Sequence, residues 1–233
     1  MLITWLAEGR PKLPSQTGSI AYISDIGAAG LKPLFIAGCC ATAVAFVLSL
    51  AAERWLRHSG RLLPIMRRRE RILSILAIAG SVIGGMGLIL LSVFDTRRFT
   101  SLHRAFLLVF MVGVALSAIF IIAEYRWLSK DFIHATYLRI AYVTKATIAG
   151  ILILLSIAFA VALYRSHSAG AVLEWIIGFG FTFYLLTFFF DLRNSKGRYR
   201  GELSKARFLS SQTLRETYGM KLVPTLQTNQ GTP

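Results

Sequence analysis

The 233-residue chain has few cysteines, few acidic residues and none of the common sequence signatures of enzymes. Its two cysteines, Cys39 and Cys40, are adjacent within an apolar run, so we expect them to pack in a core rather than to form a disulfide. There is no Asn-x-Ser/Thr sequon, no zinc-type Cys/His spacing, no P-loop and no G-x-S-x-G elbow. These absences exclude the easily recognised enzyme classes, and we expect neither a metal nor a cofactor.

What the sequence does contain is a series of long apolar runs. Each has about the ~20 residues that a helix needs to cross ~30 Å of hydrocarbon. Membrane-spanning helices are predicted over residues 34–52, 72–94, 105–123, 146–164 and 171–190. The predicted fold class is therefore an all-α polytopic transmembrane helix bundle. An outer or lumenal segment, 1–33, precedes it, and a basic tail, 193–233, follows it and is expected to be partly disordered.

The connectors between these runs differ in positive charge, and that difference predicts an orientation. Lys and Arg in short loops are retained in the cytoplasm. The first connector holds seven arginines, the third holds Arg126, Lys130 and Arg139 besides Lys145 at the edge of the next run, and the tail holds eight basic residues. The second connector holds three and the fourth only Arg165. We therefore place the N-terminus outside or in a lumen and the C-terminus in the cytoplasm.

The chain carries 26 Lys and Arg against 11 Asp and Glu, a net charge of +15. Because the excess lies on one face of a membrane, we predict no nucleic-acid partner. The clusters beside the second and last runs are instead predicted to bind anionic membrane lipid, at about 1 kcal/mol per basic residue near the surface. The predicted lipid-binding residues are Arg67, Arg68, Arg69, Arg71, Arg193, Lys196, Arg198 and Arg200. In the alternative interpretation these charges only set the topology.

Polar residues on the outer side suggest a second candidate site. Asp95 ends the second run, His103 begins the third, and Asp25 and Glu174 lie on the same side of the membrane. A carboxylate and an imidazole can exchange a proton as acid and base, so these four residues form an alternative catalytic set. The competing interpretation is a structural contact that ties the second and third helices together.

Two sequence features bear on packing and transport. Small residues let helix backbones approach closely, so four glycines of the second run (Gly80, Gly84, Gly85 and Gly87) and three alanines of the first (Ala37, Ala41 and Ala45) predict that these two helices pack together. Lys145 and Glu124 lie at cytoplasmic ends and Glu174 at the outer end of the last run, where we expect all three to snorkel or to sit in the headgroup region. Without a predicted charge at mid-bilayer, a transporter ranks last among the functions.

An ordered set of short motifs resembles the DRAM/FRAG/SFK family, which shares a CWH-like N-terminal membrane domain. The motifs are residues 21–27 (AYISDIG), Pro33, Phe35, 94–96 (FDT), His103 and 117–124. The match extends to about Leu192, and the basic connector and tail most resemble the fungal SFK-type branch. The family has six spans, so the resemblance implies that the first span is missing. The opening MLITWL would then be the end of that helix. In the alternative, it is a short hydrophobic N-terminus that follows the first predicted span across the membrane.

The resemblance implies a membrane protein without a mapped catalytic mechanism. For the fungal branch, the resemblance implies a role in phosphoinositide signalling and lipid organisation. The DRAM branch is linked to autophagy, and the FRAG and CWH branches are linked to remodelling of GPI-anchor lipids. We favour a non-enzymatic regulator or scaffold of the fungal plasma membrane, with phosphoinositides and a cytoplasmic kinase or scaffold as partners. The alternatives are an outer-leaflet remodelling factor using Asp25, Asp95, His103 and Glu174, or an autophagy-linked endolysosomal membrane protein. The alternative locations are a vacuolar or lysosomal membrane and an ER or Golgi membrane.

Overall fold

In the computed structural model, residues 1–16, 18–62, 68–131 and 136–193 are described, and all regular secondary structure within these ranges is helical. The helices are α1 (Leu2–Ala7), α2 (Ile23–Ala28), α3 (Lys32–His58), α4 (Arg68–Val93), α5 (Thr100–Asp131), α6 (Thr136–Arg165) and α7 (His167–Arg193). The basic tail predicted to be partly disordered lies outside the described residues after Arg193.

Helices α3 to α7 confirm the prediction of an all-α transmembrane bundle, because these five are long and apolar enough to cross a membrane. They extend beyond the apolar runs, mostly at one end. Helix α3 continues through Arg57 to His58, and α5 continues past Glu124 to Asp131. Arginine, leucine and glutamate are good helix formers, so the backbone stays helical after the hydropathy has fallen.

The five long helices pack in chain order around one core. Helix α5 packs most extensively against α4, α3 packs against α4, and α6 packs against α7, while α3 and α7 meet over a smaller area. Every long helix contributes to the main core cluster, which includes Phe46, Ala77, Ile121, Ala149 and Tyr184. Phe46 and Phe181 meet edge to face at the centre, with ring centroids 5.5 Å apart.

The glycines of α4 pack mainly against α5 rather than α3. A Cβ atom on Gly113 would lie 2.5 Å from the Gly84 nitrogen, so the two backbones are in direct contact there. Gly80 and Gly87 likewise approach the α5 backbone, and Gly85 faces Ala43 of α3. The predicted contact between α3 and α4 is present, but the predicted alanine stripe (Ala37, Ala41 and Ala45) is exposed. The sequence shows where the small residues lie but not which neighbouring helix they approach.

The segment before α3 folds over one end of the bundle. Trp5 is 5% exposed, and its ring nitrogen donates to the Pro11 carbonyl at 3.1 Å. Trp175 of α7 donates to the Ala21 carbonyl at 3.1 Å. Helices α3, α5 and α7 begin at this end, which we call the α2 end. The opposite end, where α3 and α7 finish, is called the network end, because a network of buried charges lies there.

Candidate functional site

At the α2 end, Asp25 and Glu174 hold the first turn of α2. Glu174 Oε2 accepts from the Ile23 N–H at 2.6 Å, and Asp25 Oδ2 accepts from the Tyr22 N–H at 3.2 Å. Ser24 also donates to Glu174. The first N–H groups of a helix have no partner within it, so these carboxylates act as caps. They bind a six-residue helix that would be unstable alone.

Asp95 joins the beginning of α3 to the turn between α4 and α5. Its Oδ2 pairs with Lys32 Nζ at 2.6 Å, and its Oδ1 accepts from the Arg98 N–H at 2.8 Å. Burial opposes ionisation, but these hydrogen bonds outweigh it and hold the pKa of the Asp95 carboxyl below its ordinary value. The carboxylate therefore stays charged and tied to α3.

His103 contacts the backbone rather than the Asp95 side chain. Its Nδ1 lies 2.8 Å from the Leu91 carbonyl and 2.9 Å from the Phe94 carbonyl. Because both neighbours are acceptors, Nδ1 must carry the proton. The side chain thus closes the last turn of α4.

The four outer residues share one end of the bundle but form separate sets of contacts. Asp25 and Asp95 both act electrostatically on the His103 ring, so the groups are near one another. The described residues form no cluster suited to a metal ion. Tyr22, from the 21–27 motif, has a buried hydroxyl without a hydrogen-bond partner in the described part of the chain. Burial and the neighbouring Glu174 and Asp25 carboxylates raise the pKa of this hydroxyl.

At the network end, part of the predicted basic surface can be seen. Arg68, Arg69 and Arg71 are exposed at the beginning of α4, and Arg193 is exposed at the end of α7. The remaining predicted residues (Arg67, Lys196, Arg198 and Arg200) lie outside the described residues. Within the described ranges, the ion pairs found do not include these four exposed arginines.

A buried charge network of Glu53, Arg57, Tyr125, Lys145 and Asp191 lies next to this surface. Arg57 Nη2 donates to Glu53 Oε1 at 2.7 Å, and the Tyr125 hydroxyl donates to the same oxygen at 2.6 Å. Lys145 forms an ion pair with Asp191. Because the Tyr125 hydroxyl also lies 3.4 Å from Asp191 Oδ2, the network joins α3, α5, α6 and α7.

The network was missed from the sequence, and the prediction that Lys145 and Glu124 snorkel is wrong. Lys145 is 1% exposed and Glu124 is 6% exposed. Both lie at ends of apolar runs, where snorkelling is the usual behaviour. Only the spacing of Glu53 and Arg57, four residues apart on one helix face, signals a pair in the sequence. Charges removed from water need such partners, because an isolated buried charge is very costly.

Comparisons with known proteins agree on one family. Residues 1–195 match the family model described as Frag1/DRAM/Sfk1/Cwh43P N-terminal domain. The chain is 27% identical over 192 residues to Protein sfk1 of Schizosaccharomyces pombe, covering 82% of this chain and 58% of that protein. It is 30% identical over 162 residues to Protein SFK1 of Saccharomyces cerevisiae, covering 57% of this chain and 46% of that protein. The chain thus spans about half the length of these relatives. No solved structure matches it.

Proposed function

The chain belongs to the Frag1/DRAM/Sfk1/Cwh43P N-terminal domain family, and we propose that it is a non-enzymatic regulator or scaffold linked to phosphoinositide signalling and membrane lipid organisation. We place it in the plasma membrane of a fungus, with the network end in the cytoplasm. The observation that carries the proposal is the exposed arginine group Arg68, Arg69 and Arg71 at the beginning of α4, with Arg193 at the same end.

The buried charge network supports this proposal because its two acidic residues are paired inside the bundle rather than with the exposed arginines. Glu53 and Asp191 are each paired inside the bundle, with Arg57 and Lys145. Their negative charge is therefore neutralised by these partners rather than by the exposed arginines. The exposed surface keeps a positive field of several charges, which act together within a Debye length of ~8 Å at physiological salt. A multiply charged phosphoinositide headgroup would gain more from this field than a lipid with one negative charge.

The network also supports a scaffold role through rigidity. It joins α3, α5, α6 and α7 at the end where the arginines lie, and α4, which carries Arg68, Arg69 and Arg71, packs against α3 and α5 of that group. A rigid end keeps the exposed arginines in a fixed arrangement, which lowers the ordering cost when lipid or a cytoplasmic kinase or scaffold binds.

The proposal can be tested by reconstituting the full chain into nanodiscs that contain a fluorescent phosphoinositide. Energy transfer from a donor dye at the network end measures local enrichment of that lipid. Replacing Arg68, Arg69 and Arg71 with Gln should lower enrichment several-fold and weaken its salt dependence. The matched control replaces three exposed arginines of the α2 end, Arg97, Arg98 and Arg104. Equal enrichment in the two triple variants would reject the lipid-binding role.

Remodelling of outer-leaflet lipids is the second candidate. One observation favours it: the unpartnered Tyr22 hydroxyl lies beside the carboxylates of Asp25 and Glu174. An enzyme would show normal abundance and an altered anchor-lipid profile after His103→Gln or Glu174→Gln. A regulator would show lipid changes that follow protein level. Lipid mass spectrometry together with membrane protein quantification separates the two.

A further inference from the structure

A cleft of about 300 Å³ lies between α3 and α7 at the α2 end of the bundle. One wall is α3, with Leu34, Gly38 and Thr42 along it, and the other wall is α7. Apolar side chains of α4 and α5 form the back, among them Phe110. The volume is at the lower end of known ligand pockets, about 300–1,000 Å³, and suits one narrow apolar group.

The cleft opens sideways, toward the region that hydrocarbon occupies around a spanning bundle. Leu34 on one edge is 56% exposed, and Phe179 on the other is 54% exposed. Helices α3 and α7 also share the smallest contact area among neighbouring long helices. A lipid chain can therefore enter from the membrane without first passing through water.

The depth of the cleft corresponds to part of one leaflet. Its α7 wall runs from Glu174 to Thr182, nine residues whose eight steps rise by ~12 Å along the helix. This is less than half of a ~30 Å hydrocarbon core. Phe181 lines the deep part and packs edge-on against Phe46 and Phe110, with centroids 5.5 Å away in each pair. The deep part of the cleft therefore ends against the aromatic core.

A glycine lies on each wall of the cleft. A Cβ atom on Gly38 would meet no heavy atom within 4 Å. On the opposite wall, a Cβ atom on Gly178 would lie 3.0 Å from the Ile23 side chain. A larger side chain at position 38 would therefore occupy the cleft without striking the bundle, which makes this position a clean place for a test.

A carboxyl group, that of Glu174, lies at the α2 end of the cleft. Glu174 lines it, and one carboxylate oxygen, Oε2, accepts from the Ile23 N–H. In the described part of the chain Glu174 forms no ion pair, and Asp25 is close enough to add to the negative field. A buried carboxyl group without a cationic partner is complementary to an ammonium group, because the ammonium charge would favour its ionised form.

We propose that this cleft binds one acyl chain of a phospholipid whose headgroup carries an ammonium group. The chain lies between α3 and α7 beside Gly38, and the ammonium group lies beside Glu174. The site is independent of the arginine surface at the network end, because the two lie at opposite ends of the bundle.

The test uses the full chain in phosphatidylglycerol nanodiscs doped with a phosphatidylethanolamine whose acyl chain carries a diazirine. After illumination, peptide mass spectrometry should find adducts on α3 and α7 residues that line the cleft. Gly38→Leu should reduce these adducts at least five-fold. Gly150→Leu on α6 is the matched control, because a Cβ there also meets open space and the position is exposed. It should leave labelling unchanged.

A phosphatidylglycerol probe with the same chain tests the headgroup. We expect several-fold weaker labelling than with the ethanolamine probe, and Glu174→Gln should bring the two probes to equality. The Gln oxygen can still accept from Ile23, so α2 keeps its contact. Should Gly38→Leu fail to fold, Thr182→Phe blocks the cleft from the opposite wall. Undiminished adducts in a folded blocking variant, equal labelling by both probes in the wild type, or stronger labelling by a sterol probe would each overturn the proposal.

Discussion

Lys145 of α6 and Asp191 of α7 form an ion pair inside the bundle, and Lys145 Nζ also lies 3.8 Å from the centroid of the Phe188 ring. The Lys145 side chain is 2% exposed. An aromatic face and a carboxylate therefore replace the water that this ammonium group has lost. The pair joins the last two spans at the network end.

Replacing Lys145 with Met should destabilise the protein strongly, because it leaves Asp191 buried without its partner. We expect a loss of about 3–5 kcal/mol, the range for breaking a buried pair from one side. The double variant Lys145→Met with Asp191→Leu removes both charges and should recover most of that loss. Unfolding of the purified chain in detergent, followed by tryptophan fluorescence, measures both. If the double variant is as unstable as the single one, the loss of stability does not come from leaving Asp191 without its ion-pair partner.

Tyr125 offers a second test of the network, with a control inside the same core. Its hydroxyl donates to Glu53 at 2.6 Å. Tyr125→Phe should therefore lower the free energy of unfolding by about 1–3 kcal/mol, because the buried Glu53 carboxylate loses one hydrogen-bond donor. The buried Tyr184 hydroxyl has no partner in the described part of the chain. Tyr184→Phe should therefore be neutral or slightly stabilising. If the two variants lose equal stability in the same unfolding assay, the hydrogen bond is not the cause.

Hydropathy predicts the five spans of this chain but not the side-chain contacts between them. The five spans follow from composition and length alone, since crossing hydrocarbon demands ~20 apolar residues. The burial of Lys145 depends on how α6 is rotated about its axis. Because α6 is apolar around most of its circumference, its sequence does not show which face points into the bundle. Lys32 and Asp95 are 63 residues apart. Their pairing is set by how α3 packs beside α4, which no local pattern encodes.

Asp95 predicts a pH dependence at the α2 end. Its folded pKa is lowered by the hydrogen bonds from Lys32 and Arg98, so ionised Asp95 stabilises the fold above the unfolded pKa of about 4. That contribution is lost as the pH falls through the lower folded value. Because Lys32 is partly exposed, we expect the effect to be about 1 kcal/mol or less.

The measurement compares melting temperatures of wild type and Asp95→Asn in detergent between pH 7 and pH 3. The wild type should be more stable at pH 7, and the difference should shrink below about pH 4. The amide oxygen of Asn can still accept from the Arg98 N–H, so the comparison isolates the charge. A difference that is constant across the whole range would assign the loss to geometry rather than to ionisation.

The orientation of the bundle is a prediction that cysteine labelling decides. In a variant without Cys39 and Cys40, single cysteines are placed at Ser59 after α3, at Ser168 in the first turn of α7, and at Ser210 in the tail. The arginine-rich first connector and tail predict that Ser59 and Ser210 lie in the cytoplasm and Ser168 outside. An impermeant maleimide applied to intact cells should therefore label only the cysteine at position 168.

Permeabilised cells supply the control, because all three cysteines should then react if each is accessible. Ser168 is partly exposed and its hydroxyl contacts Ser19 at 3.0 Å, so labelling at this position also reports on the segment that covers the α2 end. Labelling of the cysteine at position 210 from outside would show that the bundle has the opposite orientation. It would place the Arg68, Arg69 and Arg71 group on the side without cytoplasmic phosphoinositides, which would remove the proposed regulatory role. The lipid cleft would then face the cytoplasmic leaflet, and its binding test would be unaffected.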